Sequence, residues 1–333
     1  MALCIRVPKA FGEEVRKRSI SLGVLNNAFK IRTDDDSILI PILSDAFEGY
    51  DVMDADLEPV LREETDYRTI AGVPGELKEL LPNSYDVIGD IAVVKLPEEL
   101  LPYAAQIGNA LLKAQPSLRA VMNDAGVKGE MRIREISMIA GSGTSETKHK
   151  EFGVTMIVDP GRAYFNPRLS TERMRIASLV KDNEIVIDMF AGVAPFPLVI
   201  SKHSKPSAIY AIDINADAAE LAERNVRSNK AKNIKVICAD SSSVVKELPP
   251  ADRIIMNLPH LADTFLPDAL SNLKKGGTVH MHKIMERSSS SGTVNELLAD
   301  MKRKGYEVRA DRVAELKTYS PTMSVYVLDI VKE

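Results

Sequence analysis

Four polar residues close four short apolar runs in the second half of this 333-residue chain. Asp188 follows Ile185-Val186-Ile187, Asp213 follows Ile209-Tyr210-Ala211-Ile212, Asp240 follows Val236-Ile237-Cys238-Ala239, and Asn257 follows Ile254-Ile255-Met256. Brought to one rim, such groups bind hydroxyls and amino groups. An acid at the end of a second strand can hold the two hydroxyls of a ribose. The bland alternative is that Asp213 only caps the helix after it, whose apolar face is Ala218, Leu221, Ala222 and Val226. Ser241 is available beside Asp240. The turn after Asp188 reads Ala191-Gly192-Val193-Ala194-Pro195 and lacks a G-x-G-x-x-G, so it offers no evident cradle for a pyrophosphate. A nucleoside without phosphates fits better, which points to S-adenosylmethionine rather than NAD.

These residues need strands buried on both faces, and the β-branched runs supply them. The run 184–188, the small-residue turn and the apolar segment Phe196, Leu198, Val199, Ile200 read as strand, turn and helix. The unit repeats with strands over 208–215, 234–240, 253–260 and 278–284. A helix over 294–304, a strand from Tyr306 and a β-rich run over 323–331 follow. Ser288 to Ser291 reads as a loop. Polar residues at four strand ends, lining one rim of a sheet, resemble the class I methyltransferase fold, so the expected fold class is α/β: a Rossmann-like, seven-stranded domain of that kind preceded by two smaller α+β domains.

The first half is shorter in rhythm. Residues 1–53 read as a small module: a strand at 3–7, a helix over 11–22 with a basic outer face, and a hairpin around Asp34-Asp35-Asp36. The acidic stretch 54–74 has few periodic apolar positions and reads as a linker. A middle module over 75–165 holds a strand pair turning at Gly89-Asp90, a helix over 101–112, and strands at 120–122 and 151–159. Alternation in Gly129-Glu130-Met131-Arg132-Ile133-Arg134 puts its arginines on one face. Tyr164-Phe165-Asn166-Pro167 leads into a helix over 171–180, within the domain 166–333.

Composition narrows the class. No run of 18 apolar residues exists, so no membrane span is expected. The amino-terminal residues do not form a secretory signal. Cys4 and Cys238 are too few for a disulfide framework or a zinc site and suit a reducing, cytoplasmic setting. His280 and His282 share a strand face that could hold a metal, but no third ligand is apparent and none is expected. The net charge of −4 argues against a general nucleic-acid binder. Local basic clusters such as Arg132 with Arg134, and Arg168 with Arg173 and Arg175, keep phosphate binding open.

Taken in order, the segments Ser84-Tyr85-Asp86-Val87-Ile88-Gly89-Asp90, Gly129-Glu130-Met131-Arg132-Ile133-Arg134-Glu135, Tyr164-Phe165-Asn166-Pro167-Arg168-Leu169-Ser170-Thr171-Glu172-Arg173, Asp188-Met189-Phe190-Ala191-Gly192-Val193, Ala211-Ile212-Asp213-Ile214-Asn215 and Met256-Asn257-Leu258-Pro259 span nearly the whole chain. The chain resembles the archaeal and eukaryotic type of tRNA (guanine-37-N1)-methyltransferase. The resemblance implies methyl transfer from S-adenosylmethionine to N1 of guanosine-37. It also implies a first domain on the outer corner of the tRNA and a middle domain helping to hold the anticodon loop; nothing in the sequence demands a dimer, so a monomer is expected. It assigns Glu172 as general base, Arg132 to the charge developing on O6, and Asn257 and Pro259 to the base edge. Tyr164 and Arg168 would meet the substrate, Tyr164 by stacking on a flipped guanine. Arg173, Asp188, Phe190, Gly192, Asp213, Ile214, Asp240, Ser241 and Asn257 would surround the cofactor. Related wybutosine-pathway enzymes, which transfer the aminocarboxypropyl group or methylate a tricyclic intermediate at the same position, are the nearest alternative. A non-catalytic tRNA-binding protein is a second. One departure stands out: the family's turn usually reads Gly-Val-Gly-Pro-Phe, and here its second glycine is Ala194. Either the turn takes Ala194 at φ < 0 or cofactor affinity falls.

Overall fold

The computed structural model describes residues 2–59, 66–128 and 133–333. The chain divides into two compact units, Met1–Asp66 and Tyr67–Glu333. In the first, β1 (Ala2–Pro8), α1 (Gly12–Ser21), β2 (Arg32–Thr33), β3 (Ser37–Pro41) and β4 (Val52–Ala55) form a sheet of order β2-β3-β1-β4 with its helix. Every second residue of β1 (Ile5, Val7) enters one core with Val15 of α1, while Cys4 joins Leu39 and Leu57 in another.

The stretch expected as a linker, 54–74, is structured on both sides of residues 60–65, which lie outside the described residues. Met53 and Asp54 sit inside β4, and α2 (Tyr67–Ile70) opens the second unit, burying Tyr67, Ala71 and Val73. Its apolar residues follow no period because they belong to a strand end and a four-residue helix.

The second unit begins with β5 (Asp86–Ile88), β6 (Ile91–Val94), α3 (Ala104–Ala114), β7 (Ala120–Lys128) and β8 (Ile133–Gly141), a four-stranded sheet in sequence order. The single strand expected over 151–159 is a hairpin, β9 (Thr147–Glu151) and β10 (Val154–Val158). Its turn is Phe152-Gly153, both at positive φ. Next come α4 (Ser170–Leu179), β11 (Ile185–Asp188), α5 (Pro195–His203), β12 (Ala208–Asp213), α6 (Ala216–Ser228), β13 (Ile234–Cys238), α7 (Ser241–Val244) and β14 (Ala251–Met256). Then follow α8 (Ala262–Asn272), β15 (Leu273–Glu286), α9 (Ser290–Arg303), β16 (Val308–Thr318) and β17 (Met323–Lys332). The expected loop at 288–291 is thus a 3-10 turn running into α9. The fourth strand stops at Met256, earlier than expected, and the fifth starts already at Leu273.

These last strands form one sheet of order β13-β12-β11-β14-β15-β17-β16, with β17 antiparallel to both neighbours. This is the seven-stranded class I methyltransferase arrangement the sequence suggested. Successive residues serve opposite faces: Val186, Ala211 and Ile255 pack with α4, α5 and α6, while Ile187, Ile212 and Ile254 pack with α8 and α9. Ile91 and Val93 of β6 enter the first of these cores, and Ala92 and Val94 enter the core around α3. The middle region shares that core, and it lies with the sheet in the compact unit Tyr67–Glu333. The order of connections reverses between β11 and β14, and a crevice opens beyond such a switch point.

Candidate functional site

The turn after β11 is held by backbone bonds to both neighbouring strands: Met189 N–H to the Ile255 carbonyl at 3.0 Å, and Ala191 N–H to that of Ile212 at 2.8 Å. Gly192 sits at φ +53 and donates its N–H to Asp213 Oδ2 at 2.6 Å. Asp213 Oδ1 accepts from Asn215 N–H at 2.9 Å. The cap of α6 is Asn215, whose side chain accepts from Asp217 N–H, so Asp213 is not spent on capping. Burial pushes the Asp213 carboxyl up, against those two backbone donors. Each oxygen keeps a second lone pair for a ribose hydroxyl. The N–H of Gly192, which would face a pyrophosphate in a dinucleotide fold, is committed to Asp213, as the nucleoside reading requires.

Ala194 occupies the left-handed region at φ +66, ψ +40, fully buried. The φ < 0 alternative is therefore corrected: the turn keeps the glycine conformation with an alanine in it. Asn225 of α6, also fully buried, holds the turn from behind. Its amide donates to the carbonyls of Val193 (3.1 Å) and Ile157 (3.0 Å) and accepts from Ile157 N–H at 2.6 Å.

A cavity of about 420 Å³ opens over this turn. Phe190, Gly192, Asp213, Ile214, Asp240 and Ser241 are among the residues that line it. Asp240 also caps α7 through Ser242, and the Ser241 hydroxyl donates to the Met189 carbonyl. Phe190 meets Phe265 edge to face at 5.0 Å. Tyr164, Asn257, Leu258, Pro259, His282, Lys317 and Tyr319 line it as well. Ile284 N–H donates to the Pro259 carbonyl, tying the loop that follows Asn257 to β15. Burial pushes the Lys317 ammonium down; Asp86 acts against this, while Arg168 and Arg134 add to it.

Several expected residues stand apart from the cavity wall. Asp188 lies beneath the turn, fully buried; Oδ1 accepts from Phe190 N–H and Oδ2 has no partner. Burial pushes its carboxyl up to about 8, so it is neutral at pH 7. Arg168 is exposed and paired with Asp86 at 2.8 Å. Arg173 reaches the wall but is buried and bound to Glu151 by two hydrogen bonds of 2.5 and 2.7 Å, under the rings of Phe165 and Phe196. Glu172 is 5% exposed and does not border the cavity. Both its oxygens accept from Arg175 at 2.7 Å, and Arg175 also holds Asp329 at 2.7 and 3.0 Å. His280 extends the network, with Nδ1 2.6 Å from Asp329 and Nε2 2.6 Å from the Arg253 guanidinium. Burial works against the Asp329 carboxylate, yet His280 and Arg175 hold it well below the usual carboxylate range. Arg132 lies outside the described residues.

Sequence reading missed Phe196, Phe265, His282, Lys317 and Tyr319 on the wall, and Asn225 behind it. A signal was available for His282, which follows the same strand alternation that paired it with His280. None was available for Lys317 and Tyr319, which reach the cavity from β16 and the residue after it, at the far edge of the sheet.

Residues 147–309 match the model of the TRM5/TYW2 methyltransferase domain, residues 69–144 that of the TYW2 N-terminal domain, and residues 4–51 that of the tRNA methyltransferase 5 N-terminal domain. The tRNA (guanine(37)-N(1))-methyltransferase Trm5b of Pyrococcus abyssi is 38% identical over 331 residues, covering 99% of this chain and 98% of its own. A crystal structure of that protein superimposes with a TM-score of 0.80 at 37% identity, covering 100% of both chains. A structure of aTrm5 in complex with tRNALeu gives 0.73 at 31% identity, covering 99% of this chain and 100% of that one. Methanocaldococcus jannaschii Trm5 in complex with adenosine gives 0.67 at 30% identity, covering 99% of each. Matched in all three of its segments and along almost its entire length, the chain belongs to the TRM5/TYW2 methyltransferase family.

Proposed function

We propose that this enzyme transfers the methyl group of S-adenosylmethionine to N1 of guanosine-37 of tRNA. The observation that carries this is the cavity at the switch point, lined both by Asp213, an acid suited to a ribose, and by Asn257-Leu258-Pro259. The sequence likeness to relatives named for that reaction supports it. The cofactor supplies an electrophilic methyl group when bound. Asp213 holds the ribose hydroxyls, Asp240 faces the adenine side, and Phe190 and Ile214 cover the ring with apolar surface. Asn257 and the backbone near Pro259 hold the guanine edge, and Tyr164 stacks on it.

N1 of guanine carries a proton and is a poor nucleophile at neutral pH, so a base must take that proton as the methyl arrives. Glu172 is that base. The paired Arg175 holds both its oxygens by hydrogen bonds while leaving each a lone pair. Arg132 stabilises the charge spreading onto O6. Arg173, fixed by Glu151, shapes the floor of the cavity rather than serving as a mobile ligand. Arg168 acts with Arg134 and Lys317, three cations around Asp86, as a positive margin for the tRNA backbone. The test is methylation of two unmodified transcripts differing only at position 37. The guanosine transcript gains one methyl group and the adenosine transcript gains none. Equal labelling of both would defeat the assignment.

A further inference from the structure

The chain runs straight from Asn257-Leu258-Pro259 into His260 and Leu261, and all five residues line the cavity. Tyr319, the first residue after β16, lines it too. Leu261 is 53% exposed, Tyr319 is 52% exposed and His260 is exposed as well, so these three form part of the rim. The rings of His260 and Tyr319 meet edge to face, with centroids 5.5 Å apart and planes at 73°. Such a pair leaves ring faces uncovered. Neither ring is part of the two cores of the large sheet. The segments that carry them are held at several points. Tyr319 and Ser320 both donate their N–H to the Met323 carbonyl, at 2.9 and 3.0 Å. The Arg287 guanidinium donates to the carbonyls of Pro321 (2.7 Å) and Ser320 (3.3 Å) and to the Thr318 hydroxyl (3.2 Å). In the other segment, Ile284 N–H holds the Pro259 carbonyl at 3.2 Å and Leu261 N–H holds that of Leu258 at 3.1 Å. Two fixed segments thus present an exposed aromatic pair at the rim, preorganised to receive a flat ring.

N1 lies on the Watson–Crick edge of guanine, and it reaches a walled cavity only when the base leaves its stack. That departure strips a stacking partner from the bases before and after it. An aromatic side chain restores the lost contact whatever the sequence, since every base has a π-face. We propose that Tyr319, braced by His260, stacks on a base that flanks the target nucleotide and so holds the loop open while the target occupies the cavity. The inference rests on the reading of Asn257 and Pro259 as the residues at the guanine edge, because the pair continues directly from them along the chain. The ring makes the contact and the hydroxyl does not, so phenylalanine serves in place of Tyr319.

The test is single-turnover methylation at subsaturating tRNA by the wild type, Tyr319→Phe and Tyr319→Leu, on three transcripts: intact, abasic at position 36 and abasic at position 38. On the intact transcript Tyr319→Leu is slower by about 5- to 150-fold, the scale of one base–aromatic stack, and Tyr319→Phe stays within about twofold of the wild type. One of the two abasic transcripts abolishes the difference between the wild type and Tyr319→Leu, because the stacking partner is already gone. S-adenosylmethionine affinity is the same for all three enzymes. A Tyr319→Leu loss of equal size on all three transcripts overturns the stack, and so does no loss on the intact one. A Tyr319→Leu enzyme with weakened S-adenosylmethionine affinity also overturns it, since the ring would then serve the cofactor. The wild type gives a reading without any variant: 2-aminopurine at the flanking position stays quenched in the complex, and brightening at both 36 and 38 overturns the proposal. Wild-type enzyme that makes no methylguanosine from the intact transcript removes the proposed function itself, whereas methylguanosine formed at rates indifferent to Tyr319 removes only the stack.

Discussion

Arg175 is the side chain on which the proposed chemistry leans most heavily, and Arg175→Met isolates its contribution. The guanidinium is 21% exposed and lies between Glu172 (5%) and Asp329 (10%), bonded to both. At an effective dielectric of about 20, opposite charges about 4 Å apart attract by about 4 kcal/mol. Removing one partner of a buried pair costs about 3–5 kcal/mol, because the other charge stays buried. At 1.36 kcal/mol per factor of ten, a loss of about 4 kcal/mol in the positioning of Glu172 corresponds to a rate about 1,000-fold lower. Single-turnover methylation by Arg175→Met should fall by about that factor, with S-adenosylmethionine still bound. Asp329 keeps its bond to His280, so part of the network survives. The melting temperature should still fall by roughly 10 °C, at 2–4 °C per kcal/mol for a unit of this size. A lower melting temperature with an unchanged methylation rate would refute the reasoning, since Arg175 would then support the fold and not the base.

Three further outcomes follow from the buried groups. Asp188, with its carboxyl pushed up to about 8 against about 4 in the unfolded chain, costs nothing below pH 4 and progressively destabilises the fold as pH rises to 8. Asp188→Asn should therefore match the wild type in thermal unfolding at pH 4 and exceed it by several kcal/mol at pH 8; a difference independent of pH would contradict the shift. Asn225→Ala strands the Val193 and Ile157 carbonyls and the Ile157 N–H, so chemical denaturation should show a loss of about 3–5 kcal/mol together with weaker S-adenosylmethionine binding. Ala194→Gly relieves a left-handed alanine by about 1–2 kcal/mol and loses a buried methyl and backbone restriction of similar size, so stability should stay within about 1 kcal/mol. A loss above about 2 kcal/mol would mean that no strain resides there.

The methyltransferase half was legible because its information is local. A strand buried on both faces must be a continuous apolar run, and each run here ends where the sheet ends, so Asp213, Asp240 and Asn257 announce a rim without any coordinates. The partners that modify those residues were not legible. Glu151 fixes Arg173 from across a hairpin, Asn225 supports the turn from α6, and Asp329 meets Arg175 across 154 positions of sequence. Nothing in the spacing of the chain marks such pairs. The hairpin itself was hidden because Phe152-Gly153 interrupts two apolar alternations that read as one. Within 54–74, the burial of Ala55, Leu57, Tyr67, Ala71 and Val73 was not legible, because short elements bury them without repeating any period.

The most direct test of the account is the mass and position of the product. Unmodified tRNA transcript is incubated with S-adenosylmethionine and this enzyme, digested to nucleosides, and the residue from position 37 is analysed by mass and chromatography beside a Glu172→Gln reaction. The account predicts a single added methyl group at N1 of guanosine-37, formed by the wild type and slowed by about 100-fold or more in the variant. A heavier aminocarboxypropyl adduct, or tRNA that is bound but left unmodified, would contradict it.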